Sequence, residues 1–152
     1  MTALRSEYLG RLTIEVGQSH MVGATPRGRL RVDVFGGGTF EGPRIKAKLL
    51  SGGSDALVER ADRAMQPDVR LTLETDDGAL IYVSYRGVRH GSPEAMAAIA
   101  RGEIPDPSAY YLRNAPFFET AAPRYDWLNR IVAVGVGRRT PTQAIYEVHE
   151  IL

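Results

Sequence analysis

Asp68-Val69-Arg70-Leu71-Thr72-Leu73-Glu74-Thr75-Asp76-Asp77-Gly78-Ala79-Leu80-Ile81-Tyr82-Val83-Ser84-Tyr85-Arg86-Gly87 is the stretch that decides the fold. Val69, Leu71 and Leu73 alternate with Asp68, Arg70, Thr72 and Glu74, the period of two of a strand with one face buried. Thr75-Asp76-Asp77-Gly78 then reads as a tight turn, because Asp-Gly tolerates the positive φ angles that a short hairpin requires. The chain returns from Ala79 to about Gly87 with Ile81, Val83 and Tyr85 on one face and Tyr82, Ser84 and Arg86 on the other.

The same alternation extends in both directions. Tyr8, Leu12, Ile14 and Val16 form one apolar face, Leu30, Val32 and Val34 alternate with Arg29, Arg31 and Asp33, and Ile45, Ala47 and Leu49 alternate with Arg44, Lys46 and Lys48. The last third reads as strands at Tyr111 to Thr120, interrupted by Pro116, at Arg130 to Gly137, apolar on both faces, and at Gln143 to Leu152. One segment reads as a helix, Pro93 to about Arg101, with Ser92 as N-cap, Pro93 at the first helical position and Gly102 as the stop. Met96 and Ile99 share one side of it, which suits a cover over an edge or one end of a sheet. Short strands with so little helix predict an all-β fold. Closure removes exposed edges, so the expectation is a closed antiparallel β-barrel of about eight strands, one domain over residues 1–152. Barrels of that size either fill their centre with side chains or hold one small ligand.

Composition limits the partners. The chain has 152 residues, 43% of them apolar, and its net charge is 19 − 18 = +1. A near-neutral chain without a coherent basic face predicts no nucleic-acid partner. With no cysteine, thiol chemistry, disulfides and cysteine-ligated metals are excluded. The longest apolar stretches are far short of the roughly 20 residues of a membrane span, and Met1 to Gly10 lacks a signal peptide's apolar segment, so the expected location is cytoplasmic, away from membranes.

Motifs that invite a chemistry are few. Gly36-Gly37-Gly38-Thr39-Phe40-Glu41-Gly42 is followed by Pro43 and another strand, which fits a glycine-rich hairpin or a bulge better than a phosphate loop. His20, His90 and His149 are too scattered to predict a metal site. Carboxylates and arginines do gather on apolar strands: Asp55, Arg60 and Asp62 follow Ser51-Gly52-Gly53, Asp68 and Arg70 share a strand face, and Glu119 follows Phe117 and Phe118. Such a set can hold a structural network or orient an acid/base group. The run Arg124-Tyr125-Asp126-Trp127-Leu128-Asn129-Arg130 reads equally as a barrel plug or as the wall of a pocket for an aromatic ligand.

Several of these strings, in this order, resemble one bacterial family. Phe40-Glu41-Gly42-Pro43-Arg44, Ser51-Gly52-Gly53-Ser54-Asp55, Asp68-Val69-Arg70, Thr75-Asp76-Asp77-Gly78-Ala79, Tyr85-Arg86-Gly87, Phe118-Glu119-Thr120 and Tyr125-Asp126-Trp127-Leu128-Asn129 are similar to motifs of domain of unknown function 3237, the UPF0311-like proteins. The resemblance spans nearly the whole chain. It implies a closed barrel of the allene oxide cyclase type, calycin-like, with a central cavity and no cofactor. Members often carry a tryptophan where this chain has Ala56 and a glycine where it has Arg63.

These readings converge on a cofactor-independent isomerase, cyclase or lyase acting on a small hydrophobic or aromatic metabolite inside the barrel. Asp55 and Glu119 are the expected proton-transfer groups and Tyr85 the donor to a developing oxyanion. Arg44, Arg60 and Arg70 are expected to anchor a carboxylate or enolate, Trp127 and Tyr82 to stack on the ligand, and Asn129 to orient it. The alternative from another class is a non-catalytic barrel that carries or senses such a metabolite. The two-sided apolar strand around Val132, Val134 and Val136 predicts a homo-oligomer.

Overall fold

The computed structural model describes residues 2–152. In it the chain runs through β1 (Ser6–Thr25), β2 (Gly28–Glu41), β3 (Lys46–Leu49), β4 (Ser54–Glu59), β5 (Met65–Gln66), β6 (Asp68–Thr75), β7 (Leu80–Gly91), the helix α1 (Pro93–Ala100), β8 (Tyr110–Glu119), β9 (Val132–Arg139) and β10 (Gln143–Ile151). Short 3-10 segments occupy Pro107–Ala109 and Pro123–Arg130. All strand pairings are antiparallel, and the ring closes because β1 pairs with both β10 and β2. The wall holds ten strands rather than about eight. The excess arises where β3 and β4 both lie between β2 and β6, split by the Ser51-Gly52-Gly53 turn, and where the two-residue β5 bridges β4 and β7.

The deciding hairpin forms as its sequence directs. Gly78 adopts φ +84°, and the turn is closed by Thr75 N–H to Ala79 O and Gly78 N–H to Thr75 O, both 2.9 Å. Val69, Leu71, Leu73, Ile81, Val83 and Tyr85 all point inward, none more than 4% exposed. Beyond Gly91, α1 starts where expected: the Ser92 hydroxyl accepts the Ala95 N–H at 3.1 Å. It therefore sits at the end of the barrel remote from the hairpin turn. Among the described residues, no helix is long and apolar enough to cross a membrane.

Two strands differ from their sequence reading. In β2 the inward side is not Leu30, Val32 and Val34 but the opposite one, with Asp33 2% and Phe35 4% exposed. Further along the same strand Phe40 also points in, five residues from Phe35, which strict alternation forbids. The register with β1 slips between Glu15 and Val16, opposite Gly37 and Phe35, so the glycine run is a β-bulge that changes which face is buried. In β9 the buried face carries only Ala133, Gly135 and Gly137, because Tyr146 and Leu112 fill the space: a Cβ on Gly137 would lie 2.6 Å from the Tyr146 ring and 2.7 Å from Leu112. Val132, Val134 and Val136 face outward and are half-exposed. β8 also runs unbroken through Pro116, which lies past Arg113 and Asn114, the two residues paired with β9. There a missing donor leaves that ladder intact.

Candidate functional site

The bulge in β2 turns Arg31 and Asp33 into the barrel at the end covered by α1. Asp55 on β4 is paired directly across from Asp33 and enters on the same side. Tyr85 and Arg89 come from β7, Arg139 from the last inward position of β9, and Tyr146 from β10; together they surround a void of about 20 Å³. That is room for about one water molecule. A much larger vestibule of about 830 Å³ opens beneath α1, with Met65, Met96 and Ile99 on its apolar side. Arg89 and Arg139 border both spaces, so they form the boundary between vestibule and lumen.

The electrostatics of the lumen are uneven. Asp33 is satisfied: it accepts the Ser19 hydroxyl at 2.6 Å and Arg31 Nη2 at 3.1 Å. Among the described residues, Asp55 accepts only the Asp68 N–H, at 2.9 Å. Burial pushes its carboxyl up to about 6, the Asp68 N–H opposes the rise, and the Asp33 charge adds to it. The Tyr85 and Tyr146 rings meet edge-on at 5.5 Å. Burial raises the Tyr85 phenol well above its ordinary value and pushes Tyr146 up to about 12. Arg89 is lowered to about 10, first by burial and then by the neighbouring Arg139 charge. Among the described residues, Nε of neither Arg89 nor Arg139 finds a hydrogen-bond partner. At neutral pH the phenols therefore remain donors, while Asp55 takes up or releases a proton close to the operating pH.

Of the residues given a catalytic or binding role from the sequence, only Asp55 and Tyr85 line the lumen. Arg70 lies on the outer face and pairs with Asp68 at 2.6 Å. Tyr82 and Glu119 are exposed, opposite each other on neighbouring strands of the outer wall. Arg60 pairs with Asp62 in the loop after β4. At the far end of the barrel, Arg44 stacks 3.5 Å over the Trp127 ring and reaches Glu150 at 3.6 Å. Asn129 holds the Thr120 N–H and carbonyl, both at 2.9 Å. Tyr125 and Leu128 are buried there, so the segment Pro123–Arg130 is a plug rather than a pocket wall. The structure thus separates Glu119, Arg44, Arg60, Arg70, Tyr82, Trp127 and Asn129 from Asp55 and Tyr85. In their place it brings Arg31, Asp33, Arg89, Arg139 and Tyr146. A signal for two of these exists in the sequence: Arg89 continues the inward series Ile81, Val83, Tyr85, and Arg139 continues Ala133, Gly135, Gly137.

The same architecture occurs in solved proteins. The crystal structure of a conserved protein of unknown function from Rhodopseudomonas palustris superposes with a TM-score of 0.96, at 32% identity over all of both chains. A β-barrel-like protein from Acinetobacter baumannii gives 0.87 at 35% identity, covering 100% of this chain and 98% of that one. An enzyme from Penicillium herquei shares the fold at a TM-score of 0.74 and 20% identity, covering 100% of this chain and 97% of that one. In sequence, a UPF0311 protein of Clostridium acetobutylicum is 33% identical over 91% of this chain and 84% of its own length. Arg63, at the position where the family resemblance places a glycine, adopts φ +71°, a backbone conformation that favours glycine. The family model described as protein of unknown function (DUF3237) matches residues 4–151, and the chain belongs to that family.

Proposed function

We propose that the protein is a cofactor-independent acid/base enzyme, an isomerase, cyclase or lyase, that moves a proton on a small hydrophobic or aromatic metabolite bound in the vestibule. The observation that carries this reading is Asp55: a mostly buried carboxyl raised to about 6, facing two phenols that stay protonated. Asp55 as base and Tyr85 with Tyr146 as donors form the pair of groups needed to draw a proton from carbon next to a carbonyl and to hold the enolate oxygen that results. The substrate's apolar part packs against Met65, Met96 and Ile99. In D2O, deuterium wash-in at the α-carbon of a panel of enolisable aryl ketones, followed by NMR, tests this directly. At least one ketone is expected to exchange well above the buffer rate, and Asp55→Asn to lose that excess by about a hundredfold or more. Binding without exchange across the panel would overturn the enzyme reading in favour of a carrier or sensor.

We also propose a homodimer through the outer face of β8, β9 and β10. Val132, Val134 and Val136 there are 55%, 39% and 46% exposed, with Phe117 beside them at 54%. Arg113, Val136 and Glu147 lie in one row across these strands. A two-fold axis along β9 sets Arg113 of each copy over Glu147 of the other, which gives the apolar stripe a matching charged border. Light scattering is expected to give a dimer mass, and Val134→Glu a monomer that keeps the same circular dichroism. A monomeric wild type would remove the proposal.

A further inference from the structure

The boundary between vestibule and lumen holds more positive charge than the protein neutralises. Arg31, Arg89 and Arg139 meet there, against Asp33 and Asp55, while the other charges lining the vestibule are paired, Glu59 with Arg63 at 3.4 Å and Asp62 with Arg60. Arg31 is taken by Asp33, with Nε 2.9 Å from the carboxylate. Arg89 is 9% exposed, and among the described residues neither its Nε nor that of Arg139 is hydrogen-bonded. A guanidinium held away from water with its Nε unpaired is costly, and the Arg139 charge beside Arg89 adds repulsion. An anion between the two arginines would relieve both costs. The planar donor fork of arginine matches a carboxylate in particular. Asp55 and Asp33 close behind leave about one positive charge uncompensated, which suits a single negative charge and disfavours a dianion.

We propose that Arg89 and Arg139 form an anion subsite that takes the carboxylate of an aromatic or alicyclic acid, whose apolar body lies in the vestibule under α1. This names the substrate class for the site described above and rests on the reading of that site as a ligand pocket. The carboxylate anchors the molecule at this boundary, so the reacting carbon must lie a few atoms from the acid group to reach Asp55. Because Asp55 is negative when ionised, the subsite also couples to it: anion binding favours the protonated carboxyl, and the affinity is expected to fall as pH rises past about 6, where Asp55 ionises.

2-Naphthoate and its neutral isostere 2-naphthamide, followed by their fluorescence or by calorimetry, test the proposal without any need for turnover. At pH 6 the acid is expected to bind about tenfold tighter than the amide or better, the scale of one charge-assisted pair. Arg89→Met is expected to bring the two within about threefold, through loss of the acid's affinity. Arg139→Gln provides a second, independent variant, and thermal melts confirm that both are folded. In Asp55→Asn the pH slope of naphthoate binding should disappear. Equal affinity for the two probes, an acid preference that survives both arginine changes, or no saturable binding of either at millimolar concentration would overturn the subsite. Proton exchange on neutral ketones without an acid preference sinks only the subsite; an acid preference without exchange on any substrate sinks only the acid/base reading.

Discussion

Asp55→Asn is expected to melt higher than the wild-type protein at pH 7.5, although it removes the group on which the proposed chemistry depends. The folded state holds this carboxyl at about 6, against 3.8 for an unperturbed aspartate. The folded protein therefore binds the proton more tightly than the unfolded chain. Below about pH 4 both states are protonated and burial of the neutral acid brings no penalty. As pH rises from there to about 6 the unfolded chain ionises first, and stability falls; above 6 the cost is constant, at most about 3 kcal/mol for a shift of this size. Asparagine keeps an oxygen to accept the Asp68 N–H and carries no charge. The expected gain at pH 7.5 is roughly 6–12 °C in Tm for a chain of this length. It should shrink through pH 6 and vanish near pH 4. Comparing variant with wild type at each pH cancels the exposed carboxylates whose values are lowered by arginine partners, such as Asp62 and Asp126, since these titrate identically in both. A variant that melts lower at pH 7.5, or a difference that does not change with pH, would show that Asp55 is stabilised as a carboxylate.

Gly137→Val is expected to cost both stability and activity, for one shared reason. Its Cβ would lie 2.6 Å from Tyr146 Cε1 and 2.8 Å from Cδ1, with Leu112 Cγ at 2.7 Å. A tyrosine ring is rigid, and this one is 2% exposed. The free space next to it is the lumen void of about 20 Å³, so relief from the clash drives the phenol into the site. Overpacking of this kind costs about 1–3 kcal/mol or more, and a fall in Tm of roughly 10 °C is expected. Proton exchange should fall with it. Gly137→Val combined with Tyr146→Leu should recover most of the lost stability without recovering exchange, a coupling that a double-mutant cycle measures. If Gly137→Val alone melts and exchanges like wild type, Tyr146 is not held where the proposed mechanism needs it.

The fold was legible because its main signals are local. A hairpin with Asp-Gly at its turn, a serine-capped helix and alternating apolar residues each dictate structure within a few positions. The site was less legible, because membership depends on which way each strand faces. Taken strictly, the period of two already places Arg70 and Tyr82 outside, since Val69, Leu71, Ile81 and Val83 are the buried partners on those strands. Selecting charged residues by their nearness to recognisable strings, as for Glu119 and Arg44, favours the outer wall and the loops. The residues that do reach the interior, Arg89 and Arg139, are polar continuations of apolar inward series. Asp33 and Arg31 could not be found by any fixed alternation, because the glycine bulge reverses it within a single strand.

That bulge acts on β2 like a frameshift acts on a message. On one side of it the wall is read in a phase that presents Phe40 to the interior; on the other it is read in the opposite phase, and Asp33 appears where Leu30, Val32 and Val34 would otherwise supply plain hydrocarbon. Which residues β2 presents to the lumen is therefore set by the length of a glycine tract as well as by their identity. A barrel built this way can exchange a whole set of interior groups through a single insertion or deletion at a site that tolerates it, and so acquire or discard its chemistry while keeping its shape.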